Sequence, residues 1–422
     1  MALEQIFHCP KTLAKLRSQP LGSLLEDFCL WLIDGGFSRW TIRAHLSHLS
    51  HFNTYLGTLT DAPRNIVTSQ EVEGFFSTYP LGCRNRGPLE KHLRCIRWSI
   101  NRFIDYLRPK GLFEPSLSSP PYQPLLDEYL DWMQTQRHVS AGTLRLRKHS
   151  LNGFLGQLGA PATAEGLAQL SGDQLERLFL TQAQAMGQAA RHSLQSAVRT
   201  FLRFCWVRGY IPQPLDQAVP TLRTYRLSNV PRALSEEQAH KVLEAVEHSS
   251  PVGLRDYAIL LLLYTFGMRS GQVRTLRLED IHWSDNCIRL RAMKNGKDPW
   301  LPLTAAVGEA LFAYLQQGRP ACACPQVFLT SRAPYRPLRR SSTIAQIVRQ
   351  YIDKAGIHSA WRGAHGFRHG FATRMLNQGH TLKEIADVLG HRCLSTTFIY
   401  TKVDFNHLNA VGLAWPEEEH TC

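Results

Sequence analysis

The sequence predicts a mainly α protein with a small β-sheet: two N-terminal helical bundles followed by a mixed α+β domain. Three observations carry this expectation. Apolar residues recur at three- and four-residue spacing through the first half of the chain, as helices with one buried face require. Two proline-rich breaks interrupt that pattern. Only near residues 286–303 does the pattern switch to the alternation of paired strands. A length of 422 residues suits two or three domains, and 44% hydrophobic residues exclude a disordered or fibrous chain.

The first break is Pro115–Pro124 (PSLSSPPYQP), and the second runs from Pro212 to Pro231 through Pro214 and Pro220. Proline stops helices and restrains the residue before it, so both read as linkers. The expected domains are 1–117, 118–225 and 226–422.

The first two segments look like copies of one another. Phe28 and Trp31 match Tyr129 and Trp132, and Thr41-Ile42-Arg43 matches Thr143-Leu144-Arg145. Leu49, Phe52 and Leu56 then match Leu151, Phe154 and Leu158, and Ile100–Phe103 meets Phe201–Phe204. Each copy carries basic helix residues: Arg39, Arg43 and His45 in one, Arg145, Arg147 and Lys148 in the other. Most charged helix faces are merely solvated. Recurrence of Thr-x-Arg in both copies favours a phosphate-contacting face, which Arg94, Arg97, Arg199 and Arg203 could extend.

In the third segment Ser235 reads as the N-cap of a helix, and Asp256–Met268 as a buried helix. Asn286–Arg291 and Trp300–Leu303 form a hairpin with Lys294–Lys297 at its tip, and Gly363–Gln378, Leu382–Leu389 and the chain end read as helices.

The formal charge is +14, with 48 Lys and Arg against 34 Asp and Glu, which suits a polyanionic partner because each neutralised phosphate releases a counterion. Met1–Pro10 lacks a signal-peptide run, and the most apolar stretch, Tyr257–Phe266, is too short to cross a bilayer, so no membrane partner is expected. The 10 cysteines are scattered and read as reduced thiols; the Cys322/Cys324 pair lacks a second pair at zinc-site spacing, so no metal is expected.

Four pieces of the third segment concentrate phosphate-binding and proton-transfer residues: Gly267-Met268-Arg269, Lys294, His365 to Arg368, and Leu389-Gly390-His391 followed by Tyr400. Each alone has a structural explanation: a helix-end cation, a turn lysine, a surface pair, a core aromatic. Together they supply what metal-free phosphodiester cleavage needs. Guanidiniums offset charge on the phosphate, an acid protonates the leaving oxygen, and a nucleophile holds the intermediate.

With these residues in this order, the segment resembles the catalytic domain of tyrosine recombinases, the phage-integrase and Xer-like family. The middle segment is similar to that family's SAM-like core-binding domain. The resemblance implies a site-specific recombinase or integrase, serving a mobile genetic element, that needs no cofactor. Tyr400 would attack phosphorus and form a 3′-phosphotyrosyl link. Arg269, Arg368 and His391 would stabilise the phosphate, Lys294 would protonate the 5′ oxygen, and His365 would assist proton transfer. The partners implied are a double-stranded DNA recombination site, further copies of the chain (a tetramer on DNA) and accessory DNA-binding proteins, in the cytoplasm. The apolar tail residues Leu408, Val411, Leu413 and Trp415 would pack on the next subunit.

Three positions depart from the family pattern: Gln272 for a glutamate, Pro299 for a basic residue, and Gly370 for a hydroxyl residue. None removes a catalytic group. The alternatives are a catalytically silent DNA-binding repressor or accessory factor, and strand relaxation of the type IB topoisomerase kind.

Overall fold

The computed structural model describes residues 2–60, 62–82, 88–115, 119–159, 162–222, 233–291, 298–358, 363–391, 393 and 396–403. Lys294 with the rest of the hairpin tip, and the chain beyond Val403 with its four apolar tail residues, lie outside the described residues. The chain forms two compact units. One comprises Met1–Ile66, Gly74–Leu112 and Leu227–Cys422, the other Val67–Glu73 and Phe113–Arg226.

The N-terminal segment folds into α1 (Ala2–Ile6), α2 (Pro10–Ser18), α3 (Gly22–Asp34), α4 (Arg39–Leu59), α5 (Ser69–Gly82) and α6 (Leu89–Leu107). The middle segment folds into α7 (Gln123–Thr135), α8 (Ala141–Leu158), α9 (Ala164–Ala168), α10 (Gly172–Gln184) and α11 (Gln188–Val207). Their internal likeness extends to the caps. Ser38 and Ser140 each accept a hydrogen bond from the N–H three residues on, at backbone angles of φ −63°, ψ 146° and φ −63°, ψ 147°. Phe28 packs edge-on against Phe103 at 5.1 Å, and Tyr129 against Phe204 at 5.5 Å. Short strands β1 (Val67–Thr68) and β2 (Phe113–Glu114) pair in parallel.

The C-terminal segment begins with α12 (Glu236–Glu244), whose N-cap is Ser235 as the sequence predicts. Next comes α13 (Pro251–Phe266), which starts five residues before the expected Asp256 because Ser250 caps it and Pro251 suits the first turn. It stops at Phe266 because Gly267 takes the left-handed conformation (φ 57°). A Cβ there would lie 2.7 Å from the Phe371 ring, so only glycine fits. After α14 (Ser270–Thr275) the expected hairpin appears as β4 (Cys287–Arg289) and β5 (Trp300–Pro302), joined by a strand the sequence did not reveal, β3 (Ile281–His282). All three are antiparallel. Then follow α15 (Ala305–Ala313), α16 (Ser341–Lys354), α17 (Ala364–Asn377) and α18 (Leu382–Leu389), and a 3₁₀ turn, Phe398–Val403. The apolar α13 lies in the core with Val242, Leu311, Val348 and Phe367. Among the described residues no helix is long and apolar enough to cross a membrane.

Candidate active site

A helix C-terminus leaves carbonyls without intrahelical donors, and α18 ends at a buried Leu389 followed by an exposed Gly390. Gly390, left-handed at φ 62°, closes it, and the N–H of His391 turns back to the Ala386 carbonyl at 2.8 Å. The exposed carbonyls are taken by two arginines. Arg368 donates from Nη2 to Leu389 O at 2.8 Å and from Nη1 to Gly267 O, also at 2.8 Å. Arg269 donates from Nη1 to the same Leu389 O at 3.1 Å and from Nη2 to Gly390 O at 3.3 Å. One main-chain oxygen thus holds two cations side by side, helped by the negative end of the helix dipole.

This proximity has an electrostatic cost. Burial and the neighbouring Arg269 push the Arg368 pKa down to about 10, and burial lowers that of Arg269. Both remain cations at neutral pH. An anion placed between them would relieve the repulsion.

Tyr400 sits on the 3₁₀ turn, buried to 1% exposure. Burial raises its pKa, and the positive charges of Arg368 and Arg269 act in the opposite direction. Its hydroxyl lies 3.1 Å from His369 Nδ1. Thr397 links the two pieces of the last motif. Its carbonyl accepts from the Tyr400 N–H at 3.0 Å, and its hydroxyl is 2.7 Å from His391 Nδ1. The spacing from His391 to Tyr400 is therefore set by a folded turn. Burial, with Arg368 and Arg269, lowers the His391 pKa to about 4; burial, with His365 and Arg368, does the same for His369. Both imidazoles are neutral at pH 7. His365 reaches solvent, yet desolvation and the two guanidiniums still lower its pKa.

Five of the six residues picked out for chemistry fall in one unit, and Arg269, Arg368, His391 and Tyr400 converge at the end of α18. Lys294 lies outside the described residues. The side chain against Tyr400 is His369 rather than His365; its place one step after Arg368 carried no spacing signal. The departures have local reasons. Gln272 Oε1 accepts from the Arg269 N–H at 3.0 Å, so an amide suffices there. Pro299 uses its carbonyl, accepting from the Leu290 N–H at 2.8 Å. Gly370 packs so closely that a Cβ would lie 2.7 Å from the Leu234 carbonyl oxygen.

The basic helix residues are mostly engaged within the protein. Arg39 donates to the Ile6 carbonyl at 3.4 Å and contacts His8, and Arg43 lies over the Phe7 ring. Arg147 donates to Ser196 O at 3.0 Å, Lys148 pairs with Asp127 at 3.5 Å, and Arg145 is exposed. His45 is fully buried, stacked on Trp98 at 4.1 Å and 3.1 Å from the Ser99 hydroxyl, so it belongs to the core. A second basic concentration went unnoticed in the sequence. A cleft of about 500 Å³ is lined by Arg102, Arg332, Arg336, Arg339 and Arg340, together with Arg255. Among the described residues no cluster of three or more His, Cys, Asp or Glu is placed to hold a metal.

Comparison with known proteins gives a consistent answer. The Phage integrase family model matches residues 232–407. The Sinorhizobium fredii chain y4rF, named as an integrase/recombinase, is 29% identical over 424 residues, 98% of this chain and 96% of that one. Tyrosine recombinase XerC of Oceanobacillus iheyensis is 30% identical over 296 residues, 67% of this chain and 92% of that one. The solved lambda integrase (75–356) dimer bound to a COC′ core site shares the fold at a TM-score of 0.53 and 18% identity, over 71% of this chain and 99% of that one. Two arginines fastened to the end of one helix beside a buried tyrosine are thus the local form of a wider kinship: the chain belongs to the phage integrase family of tyrosine recombinases and is a site-specific DNA recombinase.

Proposed function

We propose that this recombinase cuts and rejoins DNA through a 3′-phosphotyrosyl link at Tyr400, on behalf of a mobile genetic element. The observation that carries the reading is the sharing of the Leu389 carbonyl by Arg269 and Arg368, close enough to Tyr400 for both charges to bear on its phenol. Two guanidiniums so placed grip the non-bridging oxygens and offset charge as the phosphorus becomes five-coordinate. His391, held by Thr397, adds a third donor through its other ring nitrogen. As the Tyr400 oxygen bonds to phosphorus, the bond to the 5′ oxygen breaks. Lys294 supplies the proton to that oxygen, and the phenolic proton leaves by way of the histidines, His369 holding the hydroxyl and His365 assisting transfer. A 5′ hydroxyl of another strand reverses the steps, so bond energy is conserved in the phosphotyrosyl ester without a cofactor.

The partners are a double-stranded recombination site and further copies of the chain. A solved lambda integrase tetramer is bound to a Holliday junction, which supports a tetramer here. Accessory DNA-binding proteins, cytoplasmic location and domains of 1–117, 118–225 and 226–422 belong to the same reading. Residues 1–117 would extend the DNA footprint or contact a neighbouring protomer.

The test is a nicked suicide duplex bearing the junction sequence recovered from cells. Wild-type protein forms a covalent, protease-sensitive adduct, and Tyr400→Phe forms none while still binding the duplex. An adduct with Tyr400→Phe, or none with wild type, removes the proposal, the second result favouring a silent DNA-binding protein.

A further inference from the structure

We propose that the arginine cleft between α6 and the 330–343 segment is a second phosphate-binding site, which takes a backbone phosphate of the bound DNA about six nucleotides from the one that is cut. The proposal rests on the recombinase reading for its DNA and goes beyond it by giving the N-terminal segment a defined contact.

The cleft gathers arginines that have little reason to meet in the absence of an anion. Arg102 projects from α6, and Arg332, Arg336, Arg339 and Arg340 come from the approach to α16. The Arg102 side chain is 18% exposed, and its Nε is buried without a hydrogen-bond partner. A buried donor left unmade is costly, so such a group marks a place where a ligand completes the bonding. Asp105 stands 3.7 Å from Arg102, and no carboxylate is among the described residues that line the cleft with its six arginines. Arg255, by contrast, is already satisfied by Asp256 at 2.7 Å and the Leu329 carbonyl at 3.2 Å. Burial lowers the pKa of Arg336, and Arg102 and Arg339 add to this. The first turn of α16, whose Thr343 also lines the cleft, has no side-chain cap, so its N–H groups add to the positive field.

Position follows from α13 if the strand is laid along it. Arg255 lies in the first turns of this helix and Arg269 three residues beyond its end, so the helix alone sets them about 16 Å apart and the turn after it extends the span. Phosphates on one strand advance about 3.4 Å each along the duplex, so the extended span corresponds to about six of them. The bidentate geometry of arginine suits a phosphodiester, and the open cleft admits a continuous strand.

The test compares full-length wild type with Arg102→Gln, Arg336→Gln and Arg336→Lys. With a random-sequence duplex, the slope of log affinity against log salt falls by about one for each Gln variant and stays near wild type for Arg336→Lys. This readout does not involve Tyr400, so it decides the cleft even if the covalent adduct never forms. Unchanged slopes in both Gln variants overturn the proposal. So does a rise in melting temperature with inorganic pyrophosphate that the Gln variants lose while the slopes stay constant, which would mark a small-anion site. On the cleaved duplex, methylphosphonates are then placed singly along each strand. One between about four and eight nucleotides from the cut weakens wild type about tenfold and leaves Arg336→Gln unaffected. Equal losses in both proteins at every position overturn the placement.

Discussion

Gly370 departs from the hydroxyl residue that the family resemblance leads one to expect, one step beyond the histidine that touches Tyr400. Restoring the hydroxyl is predicted to harm this protein. A serine Cβ would sit 2.7 Å from the Leu234 carbonyl oxygen, which belongs to backbone and cannot swing aside. Gly370→Ser should cost about 1–3 kcal/mol, read as a lower midpoint in urea unfolding; a midpoint equal to wild type would refute the steric account. The same neighbourhood shows what residue types and spacing could reveal. Arg269, Arg368, His391 and Tyr400 were visible because phosphodiester chemistry calls for those residue types and because their order and spacing resemble the tyrosine-recombinase pattern. The shared Leu389 carbonyl was not, since main-chain acceptors leave no trace in residue identity. Nor was His369, whose role comes from where the 3₁₀ turn delivers Tyr400. His45 misled for a related reason. It was grouped with Arg39 and Arg43 as one basic face, but Trp98 stacks over it and it is fully buried.

The hairpin that carries Lys294 is anchored at its base by one carboxylate. Asp280 is fully buried and receives Arg289 Nη2 at 2.8 Å, Arg291 Nε at 2.9 Å and the Arg277 N–H at 2.9 Å. Burial acts to raise its pKa, but the bonds from Arg291 and Arg289 prevail and hold it below the usual carboxylate value. A depressed folded-state pKa contributes stability above the unfolded pKa of about 3.9 and loses it as pH falls through the folded value. Asp280→Asn is therefore expected to destabilise by about 2 kcal/mol at pH 7, the guanidiniums being partly solvated. The difference in melting temperature from wild type should shrink on acidification below about pH 4. A constant difference across that range would contradict the linkage. At this scale alternation located β4 and β5, while β3 spans only two residues and offers no period to detect. The buried α13 was legible as an apolar run, but its first turn, Pro251-Val252-Gly253, resembled the linkers before it.

Across the whole chain, duplication within the first two segments was readable from paired aromatics and the recurring Thr-x-Arg element, whereas their assignment to different units was not. Helices α1–α4 and α6 belong to one unit with Arg269, Arg368, His391 and Tyr400, and strands β1 and β2 belong to the other. Such partnerships join residues far apart in sequence, which local pattern cannot specify. A variant lacking residues 1–112 is accordingly expected to protect a shorter stretch of DNA in hydroxyl-radical footprinting than the full chain. An unchanged footprint and unchanged assembly would show that the segment serves neither DNA nor neighbour.

The interrupted order of the first unit also bears on how the protein is made. Residues 113–226 separate its early part from its late part. At about 5–20 residues per second, a ribosome would need roughly 6 to 23 s to cross that interval. For that time the N-terminal helices exist without the segment that later joins them, while the second unit is completed. A surface that must wait in water cannot be strongly apolar without inviting association. Arg102, at the cleft, is the kind of residue such a face can carry: charged while it waits, and covered once the 330–343 segment emerges.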